Sequence, residues 1–142
     1  MPPAAIVDTG AIIALLDTDE FSHKTCVKTL ASLPLPLLTT EAVLTELFHL
    51  IAARNLSVER AWKFVLSGAV MVKPCADSDL SALRALMAQY KNRPMDFADA
   101  TLVHLAGRES ITTIFTVDRD DFETYRIGGR KRFTILPARS PR

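Results

Sequence analysis

Five short apolar runs, at residues 4–8, 37–39, 69–72, 113–117 and 133–136, are separated by stretches long enough for helices. That alternation narrows the fold more than any other feature of the chain. A strand that is apolar throughout needs cover on both faces, and parallel sheets obtain it from crossover helices. The expected class is therefore α/β, a three-layer α/β/α sandwich around a central, mostly parallel sheet. With 142 residues, 49% of them hydrophobic, the chain suits a single domain with a full core. That domain is expected over residues 1–137, with a short basic tail at 138–142.

Local signals place the helices. The first strand passes through a tight Thr9-Gly10 turn into a helix at 10–16, and a second helical stretch, 23–33, is closed by Pro34 and Pro36. Thr40 can cap a helix in which Leu44, Leu47, Phe48 and Ile51 follow i, i+3, i+4, i+7. Ser57 can cap the next, through Leu66. Leu80, Leu83, Leu86, Met87 and Tyr90 mark a fifth amphipathic helix. A sixth, 95–108, follows Pro94, with Phe97, Leu102, Leu105 and Ala106 on its apolar flank. A short helix near 120–125 and a Gly128-Gly129 turn precede the last strand.

Against this apolar frame the acids stand out. Asp8 closes the first strand and Asp118 the fourth, which puts both carboxylates at the carboxyl ends of parallel strands, where open α/β sheets bind ligands. Asp96 and Asp99 are three apart and are expected to share a face of the sixth helix. Like charges one turn apart repel, more so when desolvated, and a divalent cation would compensate them. Asp96 also suits the first turn as a partner of the helix dipole, so for it a structural role stands beside the functional one. Glu46 lies on the border of the Leu44/Leu47/Phe48/Ile51 stripe, whereas Glu41 reads as a first-turn dipole partner.

Carboxylates gathered at a sheet edge, without Cys or paired His ligands, suit a hard cation such as Mg²⁺ or Mn²⁺. Such an ion orients water and neutralises phosphate oxygens in an in-line displacement, so a phosphodiester is the natural substrate class. Thr9 and Thr116, beside the strand-end acids, can bond the carboxylates or a water, or simply satisfy a turn. The single Glu46-x-x-His49 step is not the paired motif of a di-iron bundle. Residues 118–129 fail as an EF-hand, because Glu123 stands where glycine is needed and Gly129 where the last glutamate is needed.

Net charge is only +1, but no acid follows Glu123, while Arg126, Arg130, Lys131, Arg132, Arg139 and Arg142 do. Arg119, Arg126, Arg130, Lys131 and Arg132 are candidates for contacts to a nucleic-acid backbone. Cys26 and Cys75 form neither a metal motif nor a disulfide framework, which fits a reducing cytosol. No apolar run reaches the ~18 residues of a membrane helix, so an unexported, soluble protein is expected.

Taken in order, Ile6-Val7-Asp8-Thr9-Gly10, Thr45-Glu46-Leu47, Met95-Asp96-Phe97-Ala98-Asp99-Ala100 and Thr116-Val117-Asp118-Arg119-Asp120-Asp121-Phe122 resemble the PIN-domain nucleases, specifically the VapC-type toxins of prokaryotic toxin-antitoxin pairs. No single fragment is specific, but the four in this order and spacing are. The resemblance implies an α/β/α sandwich and a Mg²⁺- or Mn²⁺-dependent endoribonuclease. It places the family's acids on Asp8, Glu46, Asp99 and Asp118, with Asp96 matching an extra acid of some members. It also implies a homodimer and a VapB-type antitoxin partner. Three other readings are carried beside it: a PIN nuclease of RNA processing without a toxin role, a phosphoryl-handling signalling domain with Asp8 as nucleophile, and a catalytically silent binding module.

Overall fold

The computed structural model describes residues 3–139, so Arg142 and its two neighbours in the expected tail lie outside the described residues. In chain order the elements are β1 (Ile6–Val7), α1 (Thr9–Leu16), α2 (His23–Ser32), β2 (Leu37–Thr40), α3 (Glu41–Ala53), α4 (Val58–Leu66), β3 (Val70–Lys73), a 3₁₀ turn (Asp77–Asp79), α5 (Leu80–Gln89), α6 (Phe97–Glu109), β4 (Thr113–Phe115), α7 (Arg119–Thr124), β5 (Arg126–Ile127), β6 (Lys131–Arg132) and β7 (Thr134–Leu136).

The five expected strands form one sheet in the order β3-β2-β1-β4-β7, and every pairing in it is parallel. Ile6 and Val7 at its centre pair with Ile114 and Phe115, and all four are fully buried. The helices flank this sheet as the apolar strands require. Because β1 and β4 are neighbours, Asp8 and the Thr116–Asp118 turn emerge side by side at the same edge.

Side chains at the helix starts explain the boundaries. Thr40 accepts the Val43 N–H (3.4 Å) and Ser57 the Arg60 N–H (3.2 Å), both as N-caps. The α3 stripe buries Leu47 and Ile51 fully, and Val43 as well, although the heptad-like spacing does not single Val43 out. In α6 nearly every residue from Ala98 to Ala106 is buried. Ser110 ends it in a left-handed conformation (φ 56°), with the Ile111 N–H on the Ala106 carbonyl (2.9 Å). Emptying the interior of α6, as in Leu102→Ala, would cost about 2–5 kcal/mol.

Three local expectations need correction. α6 begins at Phe97 rather than Met95, because Asp96 is its N-cap: the carboxylate accepts the Asp99 N–H at 2.7 Å. Asp96 thus precedes the helix instead of sharing a helical face with Asp99. Phe97 is 46% exposed and does not pack with Leu102 and Leu105 in the core. Finally, 126–132 is a small antiparallel hairpin, β5–β6, and not merely a turn. Its bend uses left-handed φ at Gly128 (60°) and Gly129 (78°), which glycine adopts without strain.

Candidate active site

Asp8 sits where β1 becomes α1. Its backbone N–H bonds the Phe115 carbonyl (3.0 Å), and its carboxylate caps α1 by accepting the Thr9 N–H (2.7 Å). The other carboxylate oxygen accepts the Thr116 hydroxyl (3.1 Å), and that hydroxyl in turn accepts the Asp118 N–H (3.0 Å). One threonine therefore ties the first acid to the turn that carries the fourth. The Thr9 hydroxyl points elsewhere, to the Val43 carbonyl (3.4 Å). Gly10 is required here for another reason: a Cβ on it would lie 2.6 Å from Val117 Cγ2.

Asp99, in the first turn of α6, is 9% exposed and Asp8 only 6%. The Tyr125 hydroxyl, fully buried, donates to Asp99 Oδ2 at 2.9 Å. Nothing in the sequence singles Tyr125 out, since it follows α7 as one more aromatic between charged residues. Asp118 and Asp96 are exposed and Glu46 is half-buried. Glu46 and Asp96 help line an open groove of about 670 Å³ with Thr45, His49, Phe97 and Thr101; Asp8, Asp99 and Asp118 lie outside its lining.

The carboxylates feel one another. Burial pushes the Asp8 carboxyl up to about 7, against two bonds from Thr9 and Thr116 that favour the anion, and the charges of Glu46 and Asp118 raise it further. Burial, then the charges of Asp8 and Asp96, push Asp99 up to about 8 in spite of the Tyr125 bond. Asp118 rises to about 6 through desolvation and its acid neighbour Asp121.

Of the acids outside this set six are neutralised, whereas Asp19, Glu41, Glu59, Asp77 and Asp120 meet no cation among the described residues but are exposed to water. Asp17, Glu20, Asp79, Glu109, Asp121 and Glu123 each meet a Lys, Arg or His within 4 Å. Among the described residues Asp8, Glu46, Asp96, Asp99 and Asp118 have no such partner. No three acid, His or Cys side chains among the described residues converge closely enough to hold a metal ion as they stand, so the acids are neighbours rather than an assembled ligand set. Their donors are all carboxylate oxygens, those of Asp8 and Asp99 desolvated, and they repel one another when ionised, which is the chemistry a hard divalent cation relieves.

The basic candidates divide. Arg126 donates its guanidinium to the carbonyls of Glu123, Thr124 and Tyr125, which closes the end of α7. Arg119 donates to the Pro137 carbonyl (2.6 Å), and its Nε lies 3.7 Å from Glu123. Arg130, Lys131 and Arg132 are exposed on the β5–β6 hairpin. His23 bonds the Ala14 carbonyl (2.7 Å) and His104 bonds Asp79 (2.9 Å); neither belongs to the acid set. Both cysteines are free, Cys26 buried and Cys75 exposed. No helix among the described residues is long and apolar enough to cross a membrane.

A family model described as PIN domain matches residues 5–127. Ribonuclease VapC26 of Mycobacterium tuberculosis is 31% identical over 134 residues, which cover 93% of this chain and 99% of that protein. The crystal structure of M. tuberculosis VapC20, described as a Sarcin-Ricin loop cleaving toxin, superposes with a TM-score of 0.75 at 24% identity. That match covers 82% of this chain and 91% of VapC20, and it shows the shared fold.

Proposed function

This chain belongs to the PIN-domain family and within it to the VapC-type ribonucleases, and on that premise we propose that its activity is carried by a divalent cation held among Asp8, Glu46, Asp99 and Asp118. The protein is an RNA-cleaving hydrolase, the toxin of a VapBC-type pair, with RNA as substrate and a VapB-type antitoxin as partner. The observation that carries the metal reading is the absence of any cationic side chain beside these acids among the described residues, although two of them are buried.

Bound there, Mg²⁺ or Mn²⁺ supplies Lewis-acid neutralisation of phosphate oxygens and acidifies a water. The protein's own part is positional. Asp8 is held by Thr9 and Thr116, and Asp99 by Tyr125, so each buried carboxylate has a fixed orientation. Asp118, from the turn tied to Thr116, and Glu46, from the border of α3, would complete the donor set directly or through water. Asp96 supports the site by capping α6 and so fixing the first turn, where Asp99 lies. RNA lies along the groove beside Glu46 and Phe97, whereas Arg130 and Lys131 stand by Ala106–Thr112 at the other end of α6, so that they and Arg132 take backbone phosphates only where the RNA extends beyond the groove. Single-stranded or loop RNA fits best, because its scissile phosphate can be reached. A homodimer is the active species that the family resemblance implies.

Purified protein is expected to cut RNA in Mn²⁺ or Mg²⁺, to stop in EDTA, and to lose activity as Asp99→Asn. Cleavage unaffected by EDTA would refute the metal reading while leaving the ribonuclease. Expression in a bacterial host is expected to arrest growth, and Asp8→Asn to relieve the arrest; normal growth with active enzyme would remove the toxin role.

A further inference from the structure

The C-terminal end of α7 reaches back to the acid set. α7 spans only Arg119–Thr124, with Asp118 as its N-cap residue and Tyr125 as its C-cap residue. Both flanking residues therefore serve the same edge of the sheet, Asp118 by its own carboxylate and Tyr125 by bonding Asp99. The tyrosine is not free to do otherwise. Its ring stands edge-on to Tyr90 (5.0 Å between centroids) and to Phe122 (5.3 Å), and Phe122 in turn packs edge-on to Phe133 (5.5 Å). Tyr90 is anchored by accepting the Arg126 N–H (3.0 Å), and Arg126 locks the end of α7 through three carbonyls.

A hydroxyl with so little freedom imposes its own direction on the group it bonds. Among the described residues it is the one side-chain donor on the Asp99 carboxylate. The bond occupies one lone pair of Oδ2, opposes rotation of the carboxylate, and leaves Oδ1 without a side-chain donor among the described residues.

We propose that Tyr125 is the positioning residue of this nuclease, which orients Asp99 for the divalent cation through its hydroxyl. This rests on the reading of Asp99 as a metal ligand. Outer hydrogen-bond partners of metal-binding side chains commonly change metal affinity by about 10- to 100-fold when removed. Tyr125→Phe keeps the ring and its aromatic contacts and deletes only the donor.

The test is direct Mn²⁺ binding, read from the electron paramagnetic resonance of free Mn²⁺, on wild type, Tyr125→Phe and Tyr90→Phe. Tyr125→Phe should bind Mn²⁺ about 10- to 100-fold more weakly. Its RNA cleavage should recover as Mn²⁺ is raised, with KM for RNA unchanged. Tyr90→Phe keeps the ring against Tyr125 and removes only the acceptor of the Arg126 N–H, so it loosens the support but leaves the donor to Asp99 in place and should weaken Mn²⁺ binding much less than Tyr125→Phe. Wild-type affinity in Tyr125→Phe, or an equal loss in Tyr90→Phe, overturns the proposal and leaves the metal reading standing. No Mn²⁺ binding by wild type overturns both. If Tyr125→Phe does not fold, proton NMR of the wild type decides: the buried Tyr125 hydroxyl proton should give a slowly exchanging downfield signal that moves in Asp99→Asn. A signal indifferent to that substitution overturns the proposal.

Discussion

The two ends of α6 carry acids in opposite circumstances. Near its C-terminus His104 and Arg108 reach Asp79, at 2.9 and 3.3 Å, and the Ala76 N–H adds a third donor. The Asp79 carboxyl is accordingly held below its ordinary range, first by the His104 bond and then by Ala76. Near the N-terminus Asp99 has a single phenolic side-chain donor, and burial with the charges of Asp8, Asp96 and Asp121 pushes its carboxyl up to about 8. The protein supplies the counter-charge at one end and none at the other, and on the proposed function that is what separates a structural buried acid from one kept for a cation.

The sharpest way to break this comparison is activity. Asp99→Asn and Asp8→Asn should each lower RNA cleavage about a thousandfold or more, since loss of a metal-held charge is worth roughly 4 kcal/mol in the transition state. Asp79→Asn should leave the rate constant unchanged within about twofold while lowering the melting temperature. If Asp79→Asn abolished cleavage, the division between the two ends would fall.

Stability should reverse the order. In EDTA, Asp99→Asn should melt above wild type by about 3–4 °C for each ~1 kcal/mol of repulsion that survives relaxation. Mn²⁺ at about a hundred times its dissociation constant should stabilise wild type by roughly 2.7 kcal/mol and the variant much less. Equal melting in EDTA, with no Mn²⁺ shift in either protein, would mean that Asp99 is not part of a strained acid set.

The pH dependence should also have opposite signs. The folded carboxyl of Asp99 lies near 8, above its unfolded value, so the folded state holds the extra proton between the two. Its contribution to stability is full below about pH 4 and is lost as pH rises through 8. The advantage of Asp99→Asn in EDTA should therefore grow from pH 5 to pH 8.5. Asp79 is lowered instead, so the stability it contributes is present above about pH 4 and lost as pH falls through its folded value. Thermal melts of Asp99→Asn from pH 5 to 8.5, and of Asp79→Asn from about pH 5 downward, check the two slopes.

Smaller effects refine the site. Thr116→Val removes the donor to Asp8 and the acceptor of the Asp118 N–H, and should slow cleavage about tenfold, for roughly 1–1.5 kcal/mol. Replacing Arg130, Lys131 or Arg132 by Ala should weaken RNA binding evenly across sequences and reduce the salt slope by about 0.7 per charge. Arg126→Ala should instead act on stability, because its donors close α7.

Much of this molecule was legible in its sequence. The five strands that form the sheet announced themselves as apolar runs, and Thr40 and Ser57 cap the helices expected of them, because caps and buried strands are read by local chemistry. The order Asp8, Glu46, Asp99, Asp118 can be read off the chain, and Asp8 does follow β1 directly, but the fourth strand stops at Phe115, not Val117, and leaves Asp118 in the turn before α7. The two-residue strands of the β5–β6 hairpin were not, since charged residues fill most of their positions and no alternation shows.

What only the tertiary structure decided is which polar groups meet. Thr116 lies 108 residues from Asp8 and Tyr125 lies 26 from Asp99, so neither bond leaves a periodic trace in the chain. Nor could composition separate the lysines and arginines that neutralise acids from those left on the surface. Asp79 and Asp99 are the same residue type near opposite ends of the same helix, and they differ because packing brings His104 and Arg108 to one and Asp8 and Asp96 to the other. Local propensity is set by neighbours along the chain, whereas desolvation and Coulomb interaction are set by neighbours in space.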